Sequence, residues 1–389
     1  MYNHIGKQPG RDMKGRIFLD NNATTPLDPR VLEKMLIDLS GGPYNPSSLH
    51  FFGQEGKKLL SRARAEVAQF IGVKPNEIIF TSGGTESMNF LIKGIAEKNN
   101  PIHIITSSIE HASVYYSMQH LEKKGASVTF LSPGLWGAPK PTEVLAAITP
   151  QTGLIVLSAA NSETGVLLDL DAIAQIAFEA KIPFIVDGVA LLGKKRFTVP
   201  KGVTGMGFSS HKIHGPKGVG FVYLQSNCKI EPQFFGGGQE SSLRGGTENL
   251  SGILGLSSAI EILQEEIDQH STHMKYLQNL LENGLKSLSG ISINGQGPRL
   301  PNTSNITFDG VDGEDLFIAL DMEKIAVSQG SACASGAREP SRVLLHMGMP
   351  KKEALSSLRF SLSRMNTEEE ILHTIRVVKT LTTKLRICP

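Results

Sequence analysis

Cysteine is scarce in this chain. Cys228, Cys333 and Cys388 are the three it has among 389 residues, too few and too scattered for a disulfide framework or a zinc site. That usage fits a reducing cytoplasm. Charge of one sign is also missing. Thirty-nine Lys and Arg against 37 Asp and Glu leave a net +2, too weak a field to mark nucleic acid or an anionic membrane as the main partner. No apolar run reaches the length needed to span a bilayer. The opening stretch MYNHIGKQPGRDMKGR is basic but has no apolar middle, so it reads as mature sequence and not as a secretory signal. No repeat of fixed period and no low-complexity tract occurs. What is there is a chain too long for one small core, 40% hydrophobic and 20% charged, for which two domains are the natural expectation.

From about residue 77 to 224, short apolar runs alternate with amphipathic stretches. The runs EIIF (77–80), IHIIT (102–106), SVTFL (127–131), GLIVLSA (153–159), IPFIVD (182–187), GMGF (205–208) and GVGFVYL (218–224) read as strands. Helical patterns intervene, as at 84–98 and at 170–181 behind a capping Asp169. Strands buried on both faces and separated by helices predict an α/β fold with a mainly parallel sheet between helical layers. Ligands in such folds collect at the carboxyl ends of the strands. A long helical stretch near 247–289 then leads to NITF (305–308), a helix near 313–321 and a closing amphipathic helix from Thr367. These predict a smaller α+β domain. The expected division is 24–264 for the large domain, with 1–23 and 265–389 forming the small one.

Several polar groups fall at that carboxyl edge. In FTSGGTESMN (80–89), Gly83, Gly84 and Thr85 stand where a strand gives way to a helix. Glycines and a helix N-terminus there suit a phosphate, although a plain capped helix start is commoner for an isolated Gly-Gly-Thr. Asp187 ends a very apolar run, where a carboxylate needs a partner; it can cap a helix or keep a cofactor's ring nitrogen protonated. His111 opens a helix after the strand ending at Thr106. Between the last two strands lies SSHKIHGPKG (209–218). Taken alone this is a solvated basic turn as readily as a site. Beside a phosphate seat and a buried Asp, its lysine can form a Schiff base with pyridoxal phosphate. Lys212 is preferred to Lys217 because Ser209 and His211 flank it with further phosphate donors. FFGGGQESSLRGGTEN (234–249) offers Thr247 before another helix, and SQGSACASGAREPS (328–341) reads as a mobile loop, about 326–340, with Cys333 at its centre. With no apolar wall around it, such a cysteine can act as a nucleophile.

Taken in order, LDNNATTP (19–26), NPSSLHFFG, FTSGGTESMN, EHASV, SSHKIHGPKG, RGGTEN, GSACAS and LRFSLSRMNTEEE (358–370) cover nearly the whole chain. They resemble the cysteine desulfurases of the nitrogen-fixation and housekeeping iron–sulfur type, which are class V aminotransferases of the type I pyridoxal-phosphate fold. The resemblance implies a seven-stranded large-domain sheet, and pyridoxal 5'-phosphate on Lys212 with Asp187 at the pyridinium nitrogen. His111 would stack on the ring and serve as an acid–base group. Gly84, Thr85, Ser209 and His211 would contact the phosphate, and Thr247 would do so across a homodimer. Asn45 and Arg359 would hold the substrate carboxylate. Cys333, in a setting like that of the long-loop group, would take sulfur from L-cysteine as a persulfide, leaving alanine. An iron–sulfur scaffold or other acceptor would receive the sulfur, and Cys333 would meet metal only transiently, through a cluster on that partner.

Two positions depart from the family. Ser162 stands where it usually has Asn, and Ala190 where it usually has Gln. Both missing amides normally lie near the cofactor's phenolic oxygen, and Ser162 retains one donor. Other readings are a selenocysteine lyase or small-amino-acid aminotransferase, and a scaffold homologue with weakened catalysis. Cys228 and Cys388 receive no role.

Overall fold

The computed structural model describes residues 15–98, 102–330 and 339–387. Most runs read as strands become strands because they bury both faces, the edge run Ser127–Leu131 staying half-exposed. In β5 (Thr152–Ser158), Leu154 and Val156 point into one core with Met88, Leu91, Val114 and Met118. Ile155 and Leu157 point into the other with Val67, Ile173 and Leu256. A side chain so buried contributes about 1.5–3 kcal/mol over leaving it in water, so the register is strongly set.

Seven strands form the large sheet: β2 (Ile78–Thr81), β3 (His103–Ser107), β4 (Ser127–Leu131), β5, β6 (Phe184–Asp187), β7 (Gly205–Ser209) and β8 (Gly220–Leu224). Their order is β2-β8-β7-β6-β5-β3-β4. This is the mainly parallel sheet expected. On one face lie α3 (Gly84–Ala96) and α4 (Ala112–Lys123); on the other lie α2 (Phe51–Ile71) and α6 (Leu170–Ala180). Asp169 caps α6 by accepting from Ala172 N–H at 3.2 Å.

One strand breaks the parallel rule. β8 runs against both β7 and β2. Only residues 210–219 join β7 to β8, and a parallel return needs a crossover of about a dozen residues or more. The chain therefore turns straight back, and that turn holds Lys212. Because β2 pairs antiparallel to the reversed strand, its carboxyl end shares an edge with those of β3, β5, β6 and β7.

A second, antiparallel sheet has the order β12-β10-β9, with β9 (Ile291–Ile293), β10 (Thr303–Phe308) and β12 (Ser357–Ser361). Beside it β1 (Ile17–Phe18) pairs parallel with β11 (Ile325–Ala326). The helices here are α8 (Gly313–Met322), α9 (Arg342–His346), α10 (Lys351–Leu355) and α11 (Glu368–Ile387). Joining the two halves is α7 (Leu250–Leu285), 36 residues long. Its Leu256, Ile260 and Leu263 belong to the large-sheet core, and its Leu277, Leu281 and Leu285 to a core with Phe308, Phe360 and Ile371. The division drawn at 264/265 thus falls inside one continuous helix.

Candidate active site

The SSHKIHGPKG turn is stitched to the NNATTP segment. Thr25 donates to the His211 carbonyl from both its N–H and its Oγ1, each at 2.9 Å. In return His214 N–H donates to Thr25 Oγ1 at 2.7 Å. His211 Nδ1 meets Thr24 Oγ1 at 3.1 Å. Lys217 is exposed, whereas Lys212 turns inward and donates from Nζ to the carbonyls of Asn22 and, at 2.8 Å, Ala23. Burial first, then the Arg359 charge, lowers the Lys212 amine to about 8 against the pull of Asp20 and Asp187. Burial likewise lowers His211 to about 4, with Lys212 and Lys217 adding to it. The site therefore holds a lysine whose neutral amine is within reach of ordinary pH.

Asp187 ends β6 in the core, and its hydrogen bond comes from Val189 N–H at 3.0 Å. Burial raises its carboxyl; the charges of His111 and Lys212 and the Val189 N–H oppose that. A cationic ring N–H would be the missing counter-charge. His111 caps α4, its Nδ1 facing Ser113 N–H at 3.2 Å and Ser113 Oγ at 2.8 Å. It is exposed at the mouth of this edge.

Three observations test whether a phosphate fits. Ser209 Oγ is buried with no hydrogen-bond partner among the described residues. A Cβ placed on Gly83 would lie 3.6 Å from that oxygen, and one on Gly84 would strike Val189 Cγ2 at 2.7 Å. Gly83 itself has φ 149° and ψ −175° and caps α3 without a side chain, so the first N–H groups of a 13-residue helix face outward. Thr85 is exposed on that first turn. An orphaned hydroxyl, bare helix N–H groups and a glycine cradle fit an anionic phosphate. With Lys212 and Asp187 on the same edge, the set fits pyridoxal 5'-phosphate.

Arg359, in β12, is buried; Nη2 pairs with Asp20 Oδ1 at 2.5 Å and Nη1 donates to the Ser162 carbonyl at 3.2 Å. Its Nε has no partner among the described residues. The Ser162 carbonyl also accepts from Asn22 Nδ2 at 2.9 Å. Ala190 is half-buried, three residues beyond Asp187. Asn45 lies in the loop before α2, where Oδ1 accepts from Ser47 N–H at 3.0 Å, and no hydrogen bond joins it to Arg359 among the described residues. Thr247 is exposed just before α7. Cys228 is half-buried, and burial pushes its thiol up. Cys333 and Cys388 lie outside the described residues.

Four further charged groups stand here, none of them marked by a motif. Glu110, buried beside His111, accepts from Ser158 Oγ; burial above all raises it to about 8, and Asp187 adds to the shift. Glu163, also buried and raised mainly by burial, accepts from Ser341 Oγ at 2.5 Å. Arg342 donates to the carbonyls of Ser108 and Glu110. Lys194 donates to that of Lys212. The one available signal was position: Glu110 and Glu163 each adjoin a residue already singled out.

The aminotransferase class-V family model matches residues 17–373. Cysteine desulfurase IscS of Methanosarcina thermophila is 40% identical over 374 residues, covering 95% of this chain and 93% of that protein. Among solved structures, a NifS-like protein superposes with a TM-score of 0.87 at 36% identity, covering 96% of this chain and all of that one (100%). SspA in complex with cysteine superposes with a TM-score of 0.80 at 33% identity, over 90% and 100% of the two chains.

Proposed function

This chain belongs to the class V aminotransferase family, and from that premise we propose that it is a cysteine desulfurase working with pyridoxal 5'-phosphate. The observation that carries the reading is the inward-turned Lys212 amine on the same sheet edge as the buried Asp187 and the Ser209 hydroxyl, which has no partner among the described residues.

When bound, the cofactor supplies a ring that accepts electron density from the substrate's Cα. Lys212 would hold the cofactor through Nζ, and the same nitrogen is the base that would take the substrate's Cα proton. Its lowered pKa makes the neutral amine available for that task. Asp187 would keep the ring nitrogen protonated. Ser209, Gly84, Thr85 and His211 would hold the phosphate, and Ser162 would line the site. His111 would face the ring and move protons there. Arg359 exchanges Asp20 for the substrate carboxylate, to which a guanidinium can offer two parallel N–H groups; Asn45 assists. The Cys333 thiolate attacks the sulfur of cysteine, an S–S bond forms, and the C–S electron pair returns to carbon. After protonation the carbon skeleton leaves as alanine, and Cys333 carries a persulfide to an iron–sulfur scaffold or another acceptor.

A homodimer completes the site in this reading. Leu32, Leu36, Ile37 and Leu39 of α1 (Pro29–Leu39), with Phe51 nearby in sequence, are exposed and apolar, as a face covered by a second copy would be. Thr247 would then reach the partner's phosphate. No helix among the described residues is long and apolar enough to cross a membrane, and the sparse cysteines lead us to place the protein in the cytoplasm.

The test is direct. Holoenzyme given L-cysteine and a reductant should release alanine and sulfide in equal amounts, and Cys333→Ser should release neither. Alanine still formed by Cys333→Ser would sink the desulfurase reading. Borohydride reduction and peptide mapping should find the pyridoxyl group on Lys212.

A further inference from the structure

Three successive carbonyls in front of His111 are each taken by a side chain from far along the chain. The Ser108 carbonyl accepts from Arg342 Nη1 and, at 2.8 Å, from His346 Nδ1. The Ile109 carbonyl accepts from Asn161 Nδ2 at 3.1 Å. The Glu110 carbonyl accepts from Arg342 Nη2. Arg342 also sits over the Tyr115 ring, Cζ 4.1 Å from its centroid, one turn into the helix His111 caps. Beneath it, Ile109 packs with Val343, Leu344 and Met347 in a cluster separate from the three larger cores.

The same unit closes on the other side. Ser341 Oγ donates to Glu163 Oε2 at 2.5 Å and accepts from Leu344 N–H at 3.2 Å, capping α9. Residues 108–111, 161–163 and 341–346 are thus bound into one hydrogen-bonded unit. It contains the caps of two helices and adjoins Ser162. A planar fork reaching two carbonyls fixes their spacing as a single ammonium cannot.

We infer that Arg342 is a positioning residue: by gripping the Ser108 and Glu110 carbonyls it sets where the His111 imidazole stands over the cofactor seat. The inference rests on the role given above to His111.

The test uses full-length holoenzyme as wild type, Arg342→Ala and Arg342→Lys. Visible circular dichroism of the bound cofactor reports the setting of His111. In Arg342→Ala the dichroic band should fall to about half, and kcat should drop by about tenfold to a hundredfold with KM for cysteine nearly unchanged. Arg342→Lys should fall between it and wild type. An Arg342→Ala protein that keeps the wild-type dichroic band overturns the inference. If that variant does not fold, Arg342→Lys decides by the same readout. A wild type that makes no alanine from cysteine refutes the desulfurase reading separately, while dichroism still decides the clamp.

Discussion

Lys194 donates from Nζ to the peptide oxygen of Lys212 at 2.9 Å, so a buried lysine braces the backbone of the one that faces the cofactor seat. Burial, then the charges of Lys212 and Arg364, lower Lys194 to about 7.

A pH dependence follows from Lys194. Between about 7 and its ordinary 10.5 the unfolded chain holds a proton that the folded chain lacks, so this residue's contribution to stability rises with pH across that window. Thermal melts should show wild type gaining on Lys194→Met from neutral to alkaline pH. Parallel curves would mean that Lys194 stays charged when folded.

Glu110 works in the opposite sense. Its carboxyl is raised from 4.5 to about 8, mainly by burial, so folding favours the protonated acid. Its stabilising contribution is complete below about 4.5 and is lost as pH rises through about 8. Glu110→Gln keeps an acceptor for Ser158 and cannot ionise. Its melting temperature relative to wild type should climb from acidic to mildly alkaline pH; an unchanged difference would refute this.

Gly220 guards the phosphate seat from below. A Cβ there would lie 2.4 Å from the Phe208 carbonyl oxygen and 2.6 Å from Gly83 Cα. Overpacking of this kind costs about 1–3 kcal/mol, and moving Gly83 is one way to relieve it. Gly220→Ala should bind pyridoxal 5'-phosphate about tenfold more weakly by equilibrium dialysis, a change of about 1.4 kcal/mol. Wild-type affinity would show that the seat does not depend on this contact.

Glu240, Ser241 and Ser242 stand in succession at φ 46°, 57° and 64°, a left-handed turn built without glycine. Glu240 is held by Arg64, at 2.7 and 2.8 Å, and by Phe80 N–H at 2.9 Å. Ser242 is exposed, so Ser242→Gly should stabilise the fold by about 1 kcal/mol in denaturant titration. A loss of stability would mean that the serine side chain outweighs the strain.

Lys212, Asp187 and Ser209 were legible in the sequence because each stands at or just beyond the end of an apolar run, where a sheet delivers its polar groups. Most of the strands were legible for the same reason, since apolar runs report two-sided burial, and the half-exposed β4 was legible from its β-branched and aromatic residues. The reversal of β8 was also implicit, in the ten residues available to return it. What the sequence concealed are pairings with no local period. Asp20 meets Arg359 across 339 positions, Arg342 reaches Ser108 across 234, and Ser341 reaches Glu163 across 178. Such contacts exist only once two sheets have been brought together. Glu110 was hidden differently, as a charged neighbour whose side chain points inward while that of His111 faces solvent.

The unbroken α7 has a thermodynamic consequence. At about 1.5 Å per residue it is a rod roughly 54 Å long, and each half forms a wall of a different core. Neither core can come apart without stripping apolar cover from a helix that the other still needs. Calorimetry should therefore record a single cooperative endotherm, with no temperature at which one half persists as a native remnant of the whole.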